Sequence, residues 1–338
     1  MSKYLYTILV FFCIHSFQVK GQEIEGVNLM PSHRSIIDGY TEPILDLNAS
    51  WVSLVIYQYG EYKKDADYAP KFGYKTKDQK WGETFEGIEQ MIIKAHDEKL
   101  KVMLKPSVWF PSYGWPGDFK LNSEKEWQIW EEDFCTYLLN LAELAEKNGV
   151  ELFCISTEMK KTIELRPDFW NDLIRDIKAV YSGKLTYAAN WDNFDKIKFW
   201  DQLDYIGIDA YFPLSNKATP TVEDLVKLWE GPSKQIQAVH KKYGKPVIFT
   251  EYGYRSIDKA TWQQWEFENI KHQNQANHDA QQNGYQAIFE TFWDKDWFAG
   301  GFLWNWSPYD EVAGGPNHDG YTPQNKPTEK FISDWYAK

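Results

Sequence analysis

From residue 26 onward, short apolar runs alternate with longer stretches in which apolar positions recur every three or four residues. The first kind reads as strand and the second as helix, so the chain is a succession of βα units. Eight strands are expected, at residues 26–30, 51–58, 101–108, 150–158, 185–191, 205–211, 246–253 and 301–306. Several are apolar at consecutive positions, as with Val52, Leu54, Val55 and Ile56, or Val247, Ile248 and Phe249. Strands covered on both faces belong in a parallel sheet enclosed by helices. Helices are expected at 83–99, 123–148, 168–181, 221–243, 261–283 and 328–336. The clearest is 123–148: Ser123 and Glu126 make a capping box, Leu138, Leu141, Leu144 and Ala145 form the buried stripe, and Gly149 ends it.

No linker, repeat or change of composition divides these units. Eight of them close most economically into a single (β/α)8 TIM barrel of the α/β class, with its chemistry at the C-terminal ends of the strands. An open doubly wound sheet is the alternative, but it usually brings a glycine-rich phosphate turn after the first strand, and no G-x-G-x-x-G or P-loop occurs. Ahead of the first strand, Lys3 precedes the apolar run 7–14 and a polar tail reaches about Gln22. Residues 1–22 therefore read as a signal peptide and 23–338 as one catalytic domain, secreted or periplasmic. The apolar run is too short for a membrane span, and no small residues precede Cys13 as a lipid-modified cysteine would require. Neither membrane insertion nor a lipid anchor is expected, and the mature protein should be a soluble monomer.

Charge and composition narrow the partners. The net charge of −12, without a basic run, argues against nucleic acid. With 17 Trp, 21 Tyr and 20 Phe, the chain has more flat amphipathic surface than a core requires, and such faces suit the C–H side and hydroxyl rim of sugar rings. A neutral polysaccharide or oligosaccharide is the expected partner. The seven histidines form no H-E-x-x-H and the cysteines no C-x-x-C, so neither metal nor other cofactor is expected. No G-x-S-x-G elbow occurs either. Cys135 and Cys154 sit among apolar neighbours and read as free thiols, with a single disulfide between them as the alternative that an exported location permits.

Two strands end alike. The fourth closes with Ile155-Ser-Thr-Glu-Met159 and the seventh with Phe249-Thr-Glu-Tyr-Gly253. An ionisable group after a buried run needs a partner or a task. Strands four and seven lie nearly across a barrel mouth, so Glu158 and Glu251 can flank one bond. Glycoside hydrolysis needs one carboxyl that donates a proton and one that attacks or activates water. The alternative is that each glutamate only forms an internal ion pair.

On these residues the chain resembles the clan of retaining TIM-barrel glycosidases, and within it glycoside hydrolase family 113, whose characterised members are mainly endo-β-1,4-mannanases. Supporting matches are Gly207-Ile-Asp-Ala-Tyr-Phe-Pro213, Gly300-Gly-Phe-Leu-Trp-Asn-Trp306 and the tail from Asp319 to Glu329. The resemblance implies that Glu158 is the acid/base, that Glu251 is the nucleophile, and that Tyr211 orients Glu251. It also implies a β-1,4-mannan or glucomannan substrate. Most of the clan places Asn before the acid/base; Thr157 stands here, a Thr-Glu that family 113 shares, and the contact to the sugar 2-hydroxyl is left unassigned.

Further candidates come from the strand ends. Trp304 is placed to floor the site, although Trp306 has the same facing by pattern. Asn190, Trp191, Trp109 and Tyr57, with its neighbours Gln58 and Tyr59, are expected sugar contacts. Lys105 is a charge inside an apolar strand, suited to a sugar hydroxyl or to pairing with a barrel carboxylate. Arg255 reads as a structural ion-pair partner. A non-catalytic carbohydrate-binding barrel would explain the aromatics but not two opposed glutamates. A transglycosylase would share the same chemistry.

Overall fold

The computed structural model describes residues 24–60, 79–110, 114–266 and 276–338. The expected leader lies outside them. Eight strands, β1 (Ile24–Leu29), β2 (Trp51–Tyr59), β3 (Lys101–Trp109), β4 (Leu152–Thr157), β5 (Lys184–Asn190), β6 (Ile206–Asp209), β7 (Val247–Tyr252) and β8 (Phe298–Trp306), pair in parallel and in sequence order into a closed barrel. Around it run the helices α1 (Glu42–Asp46), α2 (Phe85–Asp97), α3 (Glu124–Lys147), α4 (Lys160–Leu165), α5 (Pro167–Val180), α6 (Val222–Tyr243), α7 (His278–Phe292) and α8 (Pro327–Tyr336). No described helix is long and apolar enough to cross a membrane.

Local chemistry sets the helix starts. The Ser123 hydroxyl accepts from the Glu126 backbone at 3.3 Å, while the Glu126 carboxylate returns to the Ser123 backbone at 2.9 Å, completing the expected capping box. Thr84 and Thr221 cap α2 and α6 through the hydroxyl alone, which accepts from the Gly87 and Asp224 amides. The helix expected at 261–283 is a correction. Residues 261–266 form turns, 267–275 lie outside the described residues, and α7 starts after the Asn277 cap and continues to Phe292. Gly284 does not stop it: a Cβ there would lie 2.3 Å from the Tyr254 ring, so the glycine permits close approach. The short helices α1 and α4 fall below the length at which periodicity is informative.

The barrel interior is layered. Ile24, Trp51, Met103, Leu152, Cys154, Ala188, Ile248 and Phe302 fill its N-terminal half with an apolar plug. Two residues further along β2, β3 and β7 the inward positions turn polar, at Ser53, Lys105 and Thr250, and Asn28 in β1, Thr186 in β5 and Asp209 in β6 are buried polar residues as well. Outside, the helices and outer strand faces share one large core rich in Trp, Tyr and Phe. Most of the aromatic excess is therefore core and not sugar surface. Cys135 is partly exposed, Cys154 is buried, and both are free.

Candidate active site

Alternation along β7 would place Ile248 and Thr250 inside and turn Glu251 away. A β-bulge prevents this. Relative to β6, Ile208 pairs with Phe249 but Asp209 pairs with Glu251, leaving Thr250 as the extra residue. Its hydroxyl donates to Asp209 at 2.8 Å, and Asn28 Nδ2 donates to its carbonyl at 3.0 Å, fixing the bulge from both sides. β4 shows a comparable register shift between Cys154 and Thr157, after which Glu158 takes a left-handed backbone (φ 53°) with its N–H donating to the Ala188 carbonyl. Both carboxylates are thereby turned into one cleft of about 670 Å³ at the C-terminal mouth.

Their surroundings differ. The Glu251 carboxylate accepts from the Tyr211 hydroxyl at 2.8 Å and from the Lys105 ammonium, so a phenol and a cation both donate to it. Burial of Lys105 works against its charge, but Glu251 and Asp209 outweigh this and hold its pKa above the ordinary lysine value. The pKa of Glu158 is pushed up to about 7, first by burial of its carboxyl and then by the negative charge of Glu251. A hydrogen bond of 2.6 Å from Trp115 Nε1 opposes that rise. One glutamate therefore has its proton affinity raised toward neutrality while the other accepts from two donors, the asymmetry that acid-assisted glycosyl transfer demands. Asp209, fully buried beneath them, is driven well above the ordinary carboxyl range by burial and by the charge of Glu251, with Lys105 opposing.

Tyr57, Trp109, Asn190, Trp191, Tyr211 and Trp304 all line the cleft with the two glutamates. Lys105 does not. It is fully buried, its ammonium occupied by Glu251 and 5.5 Å from the Trp304 ring centre, so of the two tasks open to it the structure gives it the carboxylate and not a sugar hydroxyl. Trp304 and Trp306 part company because the β1–β8 register shifts between Leu303 and Trp306; Trp304 faces the cleft and Trp306 is buried in the outer core. Gln58 is buried and Tyr59 half-buried, and neither lines the cleft. Arg255 pairs with Asp319 at 3.2 Å. Thr157 lines the cleft while its hydroxyl donates to the Pro106 carbonyl at 3.1 Å.

Sequence reasoning missed Trp115, Asp192, Gln264 and Trp265 in the cleft wall, and gave Tyr321 no role beyond its motif. Most of these lie on loops, where neither periodicity nor strand position marks them. Asp209 carried a usable signal, since it is a charge inside an apolar strand just as Lys105 is. Tyr321 meets Tyr211 edge to face at 6.2 Å, and Trp191 stacks on Trp265 at 5.3 Å.

The sequence profile of Glycoside Hydrolase Family 113 matches residues 43–326. The chain belongs to that family. It is accordingly a glycoside hydrolase. Among solved structures it is similar to the family 113 β-mannanase from Alicyclobacillus acidocaldarius in complex with ManMIm, at 23% identity and a TM-score of 0.80, covering 94% of this chain and 97% of that one. A second family 113 β-1,4-mannanase shares 25% identity, with a TM-score of 0.75 over 94% of this chain and 99% of that one. A β-glucuronidase from Ruminococcus gnavus, 12% identical with a TM-score of 0.62, shares the fold over 93% of this chain and 50% of its own. No curated protein matches the sequence.

Proposed function

We propose that this family 113 hydrolase is an exported, retaining endo-β-1,4-mannanase acting on mannan and glucomannan. The observation that carries the reading is the opposed setting of two glutamates in one cleft: Glu158 has its pKa pushed up to about 7, and Glu251 is held by Lys105 and Tyr211. In the first step Glu158 donates its proton to the glycosidic oxygen while Glu251 attacks the anomeric carbon, forming a glycosyl ester and releasing the leaving chain. In the second, Glu158 as carboxylate takes a proton from water, whose oxygen displaces Glu251, so the configuration is inverted twice. Tyr211 and Lys105 stabilise the carboxylate that departs. Trp304 offers a face to the sugar at the cleavage point, and Trp109, Trp191 and Trp265 extend aromatic surface along the cleft. Mannan as substrate is supported by the family and by the mannanase neighbours; export is supported by the leader pattern.

The test is a digest panel of mannan, glucomannan, xylan, β-glucan and galactan, with product sizing and proton NMR of the first anomer released. Short manno-oligosaccharides with retained β configuration are expected from mannan and glucomannan. Cleavage of xylan or galactan alone would overturn the substrate, and an α anomer would overturn the mechanism.

A further inference from the structure

The cleft contains a donor that no step above uses. The indole Nε1 of Trp115 lies 2.6 Å from Oε2 of Glu158. Trp115 precedes the 3-10 turn Pro116–Asp118, in the loop between β3 and α3. Several features hold that loop. The Asp118 and Phe119 amides bond back to the Trp115 and Pro116 carbonyls at 3.1 Å, and Phe119 stacks on Phe110, just past the end of β3, at 4.0 Å. The indole packs flat on Gly117, where a Cβ would come within 2.3 Å of the ring; this glycine is a seat for the tryptophan.

We propose that Trp115 is a positioning residue for the acid/base, its indole N–H engaging Oε2 of Glu158 so that the transferable proton is always carried on Oε1. The inference rests on Glu158 being the acid/base. An indole nitrogen donates and cannot accept, so the oxygen it touches must act as acceptor in both protonation states. In a protonated carboxyl the carbonyl oxygen is the stronger acceptor, so the indole favours Oε2 as carbonyl and leaves the proton to Oε1. Fixing which oxygen is protonated also fixes the direction of donation toward the leaving oxygen, and the same oxygen then faces the incoming water in the second step. The bond has a second effect. Burial and the charge of Glu251 push Glu158 toward holding its proton, and a donor to the carboxylate counters them, keeping the group able to switch between acid and base.

The full-length protein labelled with [δ-13C]glutamate tests this, with the Glu158 resonance assigned by its loss in Glu158→Gln. Two variants disturb the contact by independent routes: Trp115→Phe removes the N–H and keeps an aromatic ring, and Gly117→Ala unseats the indole and leaves Trp115 intact. In both, Glu158 should titrate about one pH unit higher than in the parent protein. On mannopentaose the alkaline limb of kcat/KM should move the same way, with kcat down roughly tenfold and KM little changed for Trp115→Phe. Lower activity with the Glu158 titration and the alkaline limb both unmoved would reduce Trp115 to a packing or stacking residue and overturn the proposal. The direct titration is read whether or not mannan is cleaved. Failure of the proposed function would show separately, as a parent protein without product on the digest panel.

Discussion

Glu158 and Glu251 are the same residue type after the same Thr, and neighbours separate them. Glu251 has a cation and a phenol; Glu158 has an indole N–H, a buried setting and the charge of its counterpart. The separation has a thermodynamic cost whose sign follows from linkage. With its pKa raised to about 7 in the folded state, Glu158 binds its proton more tightly there than in the unfolded chain. The folded state therefore loses stability as pH rises from the ordinary carboxyl value through 7, by on the order of 3 kcal/mol in all. Glu158→Gln cannot ionise, and its amide oxygen can still accept from Trp115. We expect this variant to melt a few degrees above the parent protein at pH 8 and no higher at pH 4, by calorimetry at matched ionic strength. Equal melting temperatures at pH 8 would show that Glu158 is not strained by ionisation.

At the scale of elements, the site depends on departures from regular strand geometry. Bulges in β4 and β7 bring the two glutamates into one cleft, and a register shift in β8 parts Trp304 from Trp306. The strands beneath them must approach closely. Gly207 lies in β6, two residues before Asp209, where a Cβ would sit 2.4 Å from the Tyr187 carbonyl and 2.6 Å from the Thr186 hydroxyl of β5. Gly207→Ala should force these strands apart and cost about 1–3 kcal/mol, seen as a lower urea midpoint with unchanged slope. An unchanged midpoint would mean that β5 and β6 relax freely, contrary to the packing described. Periodicity gave most of the long helices within a residue or two. It misplaced 261–283, since α7 begins at His278 and runs through Gly284, whose absent side chain makes room for Tyr254.

For the whole molecule, closure of the barrel does what a disulfide does in small domains that lack a large core. Seven of the eight strands contribute to an apolar plug, and all are wrapped by one continuous aromatic core, while Cys135 and Cys154 remain free thiols. Thermal unfolding should thus be unchanged by reductant, with the same melting temperature in dithiothreitol and in air; a drop would reveal a stabilising disulfide.

The alternation of apolar runs with helical stripes pointed to the barrel from the sequence alone, because those periods follow from backbone geometry and several strands are apolar on both faces. Two Thr-Glu strand ends marked Glu158 and Glu251 for the same reason, since a charge that closes a buried run is conspicuous wherever it falls. Tertiary structure alone decided how those groups are used. Which way a side chain faces after a bulge, which carboxylate meets Lys105, and that a tryptophan seated on a glycine reaches Glu158 all depend on register and loop path. Those are set by contacts between segments far apart in the chain, and no local pattern encodes them.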